Sequence, residues 1–143
     1  MKRLLLIFSM LWLAPLAAHA DRMCTPHHFL SAANNNAATY SNGTGPMGLC
    51  GDLVVTNTTS TTGMDLRFYD VTGIPSCGSS VGVVWNIPVP TAATAADVGG
   101  ISIPIPAVMT FQRGIGVCLT GAVSDTDNSN AATGVQVNFG TSP

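Results

Sequence analysis

Few side chains in this sequence could do chemistry, and their spacing argues against most of it. His27-His28 is the only histidine pair. Adjacent residues of a strand point to opposite faces, so the two rings do not readily chelate one metal ion. Asp125-Thr126-Asp127-Asn128-Ser129-Asn130 opens like a calcium loop. Asn130 stands where that loop needs Gly, however, and Gln136 where it needs Glu. The segment reads first as a solvated turn, with Asp125 and Asp127 as weak metal-ligand candidates. No cofactor is expected. There is no Glu, and the seven aspartates are scattered. The histidines have no acid nearby in sequence and no carboxylate pair is legible, so a non-enzymatic protein is expected. Tyr69, Trp85 and Phe111 could form an exposed aromatic patch for sugar contact, although core or hairpin-stabilising roles are the simpler reading. Asn42-Gly43-Thr44 and Asn57-Thr58-Thr59 match the N-glycosylation pattern, which arises by chance in a Thr/Asn-rich chain.

The remaining reactive groups are Cys24, Cys50, Cys77 and Cys118, and their meaning depends on destination. Met1-Lys2-Arg3 is a basic start, Leu4 to Ala17 is apolar apart from Ser9 and Pro15, and Ala18-His19-Ala20 is an A-x-A cleavage site. This is the layout of a signal peptide over residues 1–20, and the apolar run is too short to span a bilayer. A single domain over residues 21–143 is expected, delivered to a secreted, periplasmic or cell-surface location. An even cysteine count in an exported chain implies two disulfides. None of the spacings is C-x-x-C, which disfavours zinc and redox chemistry. Three pairings are open. The favoured one joins Cys50 to Cys118 across the sandwich and Cys24 to Cys77; the close rival joins Cys50 to Cys77 and Cys24 to Cys118.

Removing residues 1–20 from the 143 leaves 123, which is large enough for a modest core. That part carries three arginines against seven aspartates, a formal charge of −4, and no Lys. It has no cationic footprint for nucleic acid or for an anionic membrane surface. No second apolar stretch is long enough to cross a bilayer as a helix. A surface made of Thr, Ser and Asn offers little charge repulsion against association.

Strand signals recur at short spacing: 28–33, 37–41, 49–57, 64–70, 81–88, 101–105, 115–120 and 134–139. Asn34-Asn35-Asn36, residues 42–46, 58–63, 71–80, 91–100 and 124–133 read as turns and loops. Pro104 and Pro106 push their strand to a sheet edge. Within 64–70, Met64, Leu66 and Phe68 share one face and Asp65, Arg67 and Tyr69 the other. Seven or eight short strands predict an all-β antiparallel sandwich, immunoglobulin-like or jelly-roll. The predicted core is Leu53, Val55, Leu66, Phe68, Val84, Ile101, Ile103, Ile115, Val117, Leu119, Val135 and Val137.

Four segments, in this order, carry a resemblance: HHFLSAANNNAATY (27–40), LVVTNTTSTTGMDLRFYDVTGIPSCGSS (53–80), WNIPVP (85–90) and RGIGVCLTGAVSDTDNSNAATGVQVNF (113–139). The chain resembles a family of small phage-associated, virion-type β-sandwich proteins. An opening "LSAA" strand, an Asn-rich turn, a proline edge and a closing "VxVN" strand follow that family's order over nearly the whole exported part. The resemblance implies a structural role with repeated packing, as a homo-oligomer or within a multi-protein particle. The export signal and the cysteines are additions to the family pattern and imply a module moved to an exported setting. A monomeric binding module for carbohydrate or a protein partner is the alternative expectation.

Overall fold

Where apolar residues alternate with Thr, Asn and Asp, the chain is extended, because alternation lets one face of a strand be buried while the other stays wet. The computed structural model describes residues 24–31, 36–40, 45–57, 63–92, 99–124, 127, 129 and 133–143, with backbone alone at 106–108. The expected signal peptide, Asp125 and the Asn42 sequon lie outside the described residues. The strands are β1 (Thr25–Leu30), β2 (Ala37–Tyr40), β3 (Met47–Asn57), β4 (Met64–Asp70), β5 (Val83–Val89), β6 (Gly99–Phe111), β7 (Ile115–Thr120) and β8 (Gln136–Ser142). No helix occurs among the described residues.

Every strand pairing is antiparallel, and β1 pairs with β8, β2 with β7, β3 with β6 and β4 with β5. That pattern is one long hairpin of four strand pairs. Further pairing of β3 with β8 and of β4 with β7 rolls it into two sheets, β1-β8-β3-β6 and β2-β7-β4-β5. Only β4 and β5 are both consecutive in sequence and paired. An immunoglobulin sandwich pairs several consecutive strands, so of the two expected architectures the strand order is that of the eight-stranded jelly roll.

The sheets bury one core, formed by Leu49, Leu53 and Val55 of β3, Met64, Leu66 and Phe68 of β4, Ile115, Val117 and Leu119 of β7, and Val137 and Phe139 of β8, with Val135 just before it. Nine of the twelve predicted core residues are fully buried. Val84 is not: it is 44% exposed, because alternation along β5 turns Trp85, Ile87 and Val89 inward and Val84 out. Ile101 and Ile103 face the core but are only half-buried, since β6 is a sheet edge and no strand covers its free side.

The disulfides follow the third pairing: Cys24 to Cys50, with Cα atoms 6.1 Å apart, and Cys77 to Cys118, 5.5 Å apart. The favoured sequence pairing, Cys50–Cys118 with Cys24–Cys77, is therefore corrected, as is its rival. Cys118 alternates with the inward residues Val117 and Leu119 and points out of the sandwich, so it cannot bridge the two sheets. Cys24 and Cys50 meet because β1 and β3 both flank β8: Pro26 and Cys50 are each register partners of Gly140. A Cβ on Gly140 would lie 2.9 Å from the Cys50 carbonyl oxygen and 3.0 Å from Cys24 Cβ, so only glycine lets the staple cross there.

Asp65, Arg67 and Tyr69 point away from the main core as expected, yet all three are buried. Residues 71–82 fold back over the outside of the second sheet, where Tyr69, Cys77 and Cys118 form a second small core with Ala37, Val71 and Val83 against it. Gly116 permits the approach, since a Cβ there would meet Val71 Cγ2 at 2.6 Å and the Pro75 ring at 3.1 Å. Beneath this layer Arg67 donates from Nε to Asp65 Oδ2 at 2.8 Å and through its Nη atoms to the carbonyl oxygens of Cys77, Ser124 and Asp127. Tyr69 donates its hydroxyl to the carbonyl oxygens of Cys77 and Ser79, at 2.9 and 3.1 Å. One buried cation thus ties two loops to the sheet. Burial opposes its charge, but the hydrogen bonds and negative charge of Asp65, with Tyr69, hold the Arg67 pKa above its ordinary value.

Candidate functional site

β1 is an edge of the first sheet and β2 an edge of the second, so the sandwich is open between them. Alternation turns Phe29 of β1 and Ala38 and Tyr40 of β2 toward the core, and His27 shares the Phe29 face. His27 packs on Tyr40 with ring centroids 4.6 Å apart and on Phe139 at 5.4 Å. Tyr40 meets Phe139 edge-on at 5.1 Å, and Phe139 in turn meets Phe68 edge-on at 5.7 Å. This aromatic wall runs from the core to the surface. In front of it lies a cleft of about 480 Å³ lined by Thr25, His27, Thr39, Tyr40, Met47, Thr141 and Pro143. That volume falls within the range of small-molecule sites.

The polar side chains of the cleft are uncharged. His27 Nε2 and Thr141 Oγ1 share a hydrogen bond of 2.7 Å. Burial lowers the His27 pKa from 6.5, and burial raises that of the Tyr40 phenol from 10.0. Both groups are therefore neutral at pH 7. No lining side chain is Asp, Glu, Lys or Arg. Among the described residues the Tyr40 hydroxyl has no hydrogen-bond partner, and it is not one of the fully buried unpartnered atoms.

The sequence candidates fall elsewhere. His28 points out of the sandwich, opposite to His27, and its Nδ1 lies 2.7 Å from Asn138 Oδ1. The structure therefore separates the two histidine rings. Asp127 uses its carboxylate to close a turn, accepting from the Ala122 N–H at 3.0 Å, the Ser129 N–H at 3.3 Å and the Ser129 hydroxyl at 2.8 Å. Burial would raise its pKa, but these hydrogen bonds and the charge of Arg67 lower it below the ordinary carboxylate value. Asp125, its expected companion, lies outside the described residues. Among the described residues no group of three His, Cys, Asp or Glu side chains could hold a metal ion. Tyr69 and Phe111 are buried, and Trp85 is half-buried and stacked on Phe68 at 5.8 Å, so the three do not form a surface patch. Asn57 is fully buried and donates to the Pro90 carbonyl oxygen at 3.1 Å, which removes it as a glycan acceptor.

Sequence reasoning missed the cleft. Tyr40 ends a four-residue strand, and its only signal is the inward phase it shares with Ala38. The Arg67 hub had a fainter signal still: a lone arginine in mid-strand between Asp65 and Tyr69.

No known family profile matches the chain, and no curated protein matches it either. Two solved structures show a faint likeness. One is the crystal structure of the infectious bursal disease virus VP2 subviral particle, at 13% identity and a TM-score of 0.14, covering 81% of this chain and 40% of that one. The other is the structure of infectious bursal disease virus Gx strain, at 15% identity and a TM-score of 0.13, covering 82% and 41%. This chain thus spans about two fifths of the length of either. At such TM-scores neither likeness bears on fold or function. No helix among the described residues is long and apolar enough to cross a membrane.

Proposed function

We propose that this is an exported, non-enzymatic jelly-roll protein that presents its surfaces and packs with copies of itself or into a multi-protein particle. The observation that carries this reading is β6, a 13-residue edge strand paired on one side only. Ile101, Ile103 and Ile105 along it face the core yet remain half-exposed, and Trp85 on β5, the corresponding edge of the second sheet, is half-exposed too. A long edge with apolar side chains and no charge is a natural contact surface. Pro104 and Pro106 lack the N–H that strand addition needs, which favours contact through side chains over extension of the sheet. The phage-type resemblance points the same way. Two disulfides suit an oxidising compartment, and together with the signal-peptide pattern they support a secreted, periplasmic or cell-surface location.

Light scattering after size exclusion, from micromolar to millimolar protein, tests assembly. A mass that grows with concentration, and falls back in Ser102→Lys on the exposed side of β6, is expected. A constant monomer with no co-purifying partner refutes it. Intact mass of exported protein beginning at Asp21 tests the export signal. The second reading, a solitary binding module for carbohydrate or a protein partner, is favoured by the cleft between β1 and β2.

A further inference from the structure

We propose that the cleft between the β1 and β2 edges binds an uncharged sugar ring. A sugar presents two kinds of surface, a C–H face that packs on aromatic rings and a rim of hydroxyls that needs donors and acceptors. The cleft supplies both. The joined rings of Tyr40 and His27, backed by Phe139, form the aromatic wall, and Met47 and Pro143 add apolar surface. Thr25, Thr141 and Tyr40 contribute three hydroxyls around it. The Tyr40 hydroxyl is accessible and has no partner among the described residues, so a ligand hydroxyl can bond there without breaking a protein hydrogen bond.

Other ligand classes fit less well. No lining side chain bears a charge, so a charged ligand finds no side-chain counter-charge there. A wholly apolar ligand would cover the Tyr40 hydroxyl and leave it unsatisfied. The aromatic wall is also rigid. His27 is held by Thr141 at 2.7 Å, and Phe139 is wedged between Tyr40 and Phe68. A site already in its bound shape loses little conformational freedom on binding. The inference does not depend on the assembly reading, since molecular mass and sugar binding are measured separately.

The experiment is titration of the oxidised, processed protein with glucose, galactose, N-acetylglucosamine and maltotriose, followed by ligand-observed NMR and calorimetry. Galacturonate serves as the charged control and indole as the apolar one. At least one neutral sugar is expected to saturate with a Kd below about 10 mM. Tyr40→Phe keeps the ring and should weaken binding about three- to tenfold by removing one hydrogen bond. Tyr40→Ala should weaken it further, while Ser102→Lys, remote from the cleft, should leave it unchanged. Circular dichroism confirms that each variant is folded, and Tyr40→Phe alone suffices if Tyr40→Ala unfolds. Failure of all four sugars to saturate, tighter binding of galacturonate or indole than of any neutral sugar, or full affinity in Tyr40→Phe would overturn the proposal.

Discussion

Replacing Arg67 with methionine keeps most of the side-chain length and removes the charge and all its donors. The side chains of Arg67 and Asp65 are each about 1% exposed, and their contact is 2.8 Å. Asp65 Oδ1 is already buried without a partner, so in Arg67→Met the whole carboxylate would be left without its cation. Breaking a buried ion pair from one side costs about 3–5 kcal/mol, because the surviving charge stays desolvated and uncompensated. The carbonyl oxygens of Ser124 and Asp127 would also lose the donor that ties their loop to the sheet. Urea unfolding of the oxidised protein should show this loss, and the thermal midpoint should fall by about 10–20 °C. The double variant Asp65→Asn/Arg67→Met separates charge from shape: it should regain at least half of the loss, since the orphaned carboxylate is gone. A loss below about 1 kcal/mol in the single variant would refute the reasoning. That value belongs to a solvent-exposed pair, and residues 71–82, Ser124 and Asp127 would then not be held through this guanidinium.

Four further outcomes follow from the packing. Leu66→Ala, at a fully buried site, should cost about 2–5 kcal/mol, and a loss under about 0.5 kcal/mol in denaturant titration would contradict its place in the core. Gly116→Ala should cost about 1–3 kcal/mol, because the added methyl overlaps Val71 and Pro75; unchanged stability would mean that residues 71–75 do not lie on the sheet. Peptide mapping without reduction should recover Cys24–Cys50 and Cys77–Cys118, and the loss of either bond should destabilise by about 3–4 kcal/mol on loop-closure grounds; a peptide joining Cys50 to Cys118 would disprove the pairing. His27 is less easily protonated folded than unfolded, so its contribution is full above about pH 6.5 and declines as pH falls toward the lowered folded pKa. Unfolding titrations between pH 7 and 5 should therefore slope downward on acidification, with a weaker slope in His27→Gln; an NMR titration midpoint for His27 at or above 6.5 would contradict this.

Strand boundaries show what local rules can carry. β4 and β7 run over the residues that alternation and turn spacing predict, Met64–Asp70 and Ile115–Thr120. Their patterns are regular and both ends are punctuated by Gly or by polar turns. β6 is far longer than the predicted 101–105, because pairing to the eleven-residue β3 holds its proline-bearing stretch extended despite the missing N–H groups. The predicted sidedness of Asp65, Arg67 and Tyr69 is right, but sidedness does not say what covers the outer face. A sheet's outer side can be roofed by a loop, and the alternation of a strand is identical whether water or loop lies above it. Val84 fails for a different reason. It comes from an apolar β-branched run in which composition alone does not fix the phase, and a strand at a sheet edge buries only alternate positions.

The sequence by itself determined the class: a small all-β domain, cysteines paired in two disulfides, and a surface poor in charge. These properties are local or additive, so they survive without knowledge of which strand meets which. Strand order, disulfide partners and the cleft are different in kind. Cys24 reaches Cys50 only because β8 returns between β1 and β3, and Cys118 is excluded from the sandwich only by the phase of β7 against the opposite sheet. His27 and Thr141 are 114 residues apart along the chain, and Tyr40 joins them from the other sheet. Contacts of that separation depend on how the whole hairpin rolls up, which no window of sequence encodes. The tertiary structure decided them by closing the roll, because only then do two sheet edges face each other across an aromatic wall.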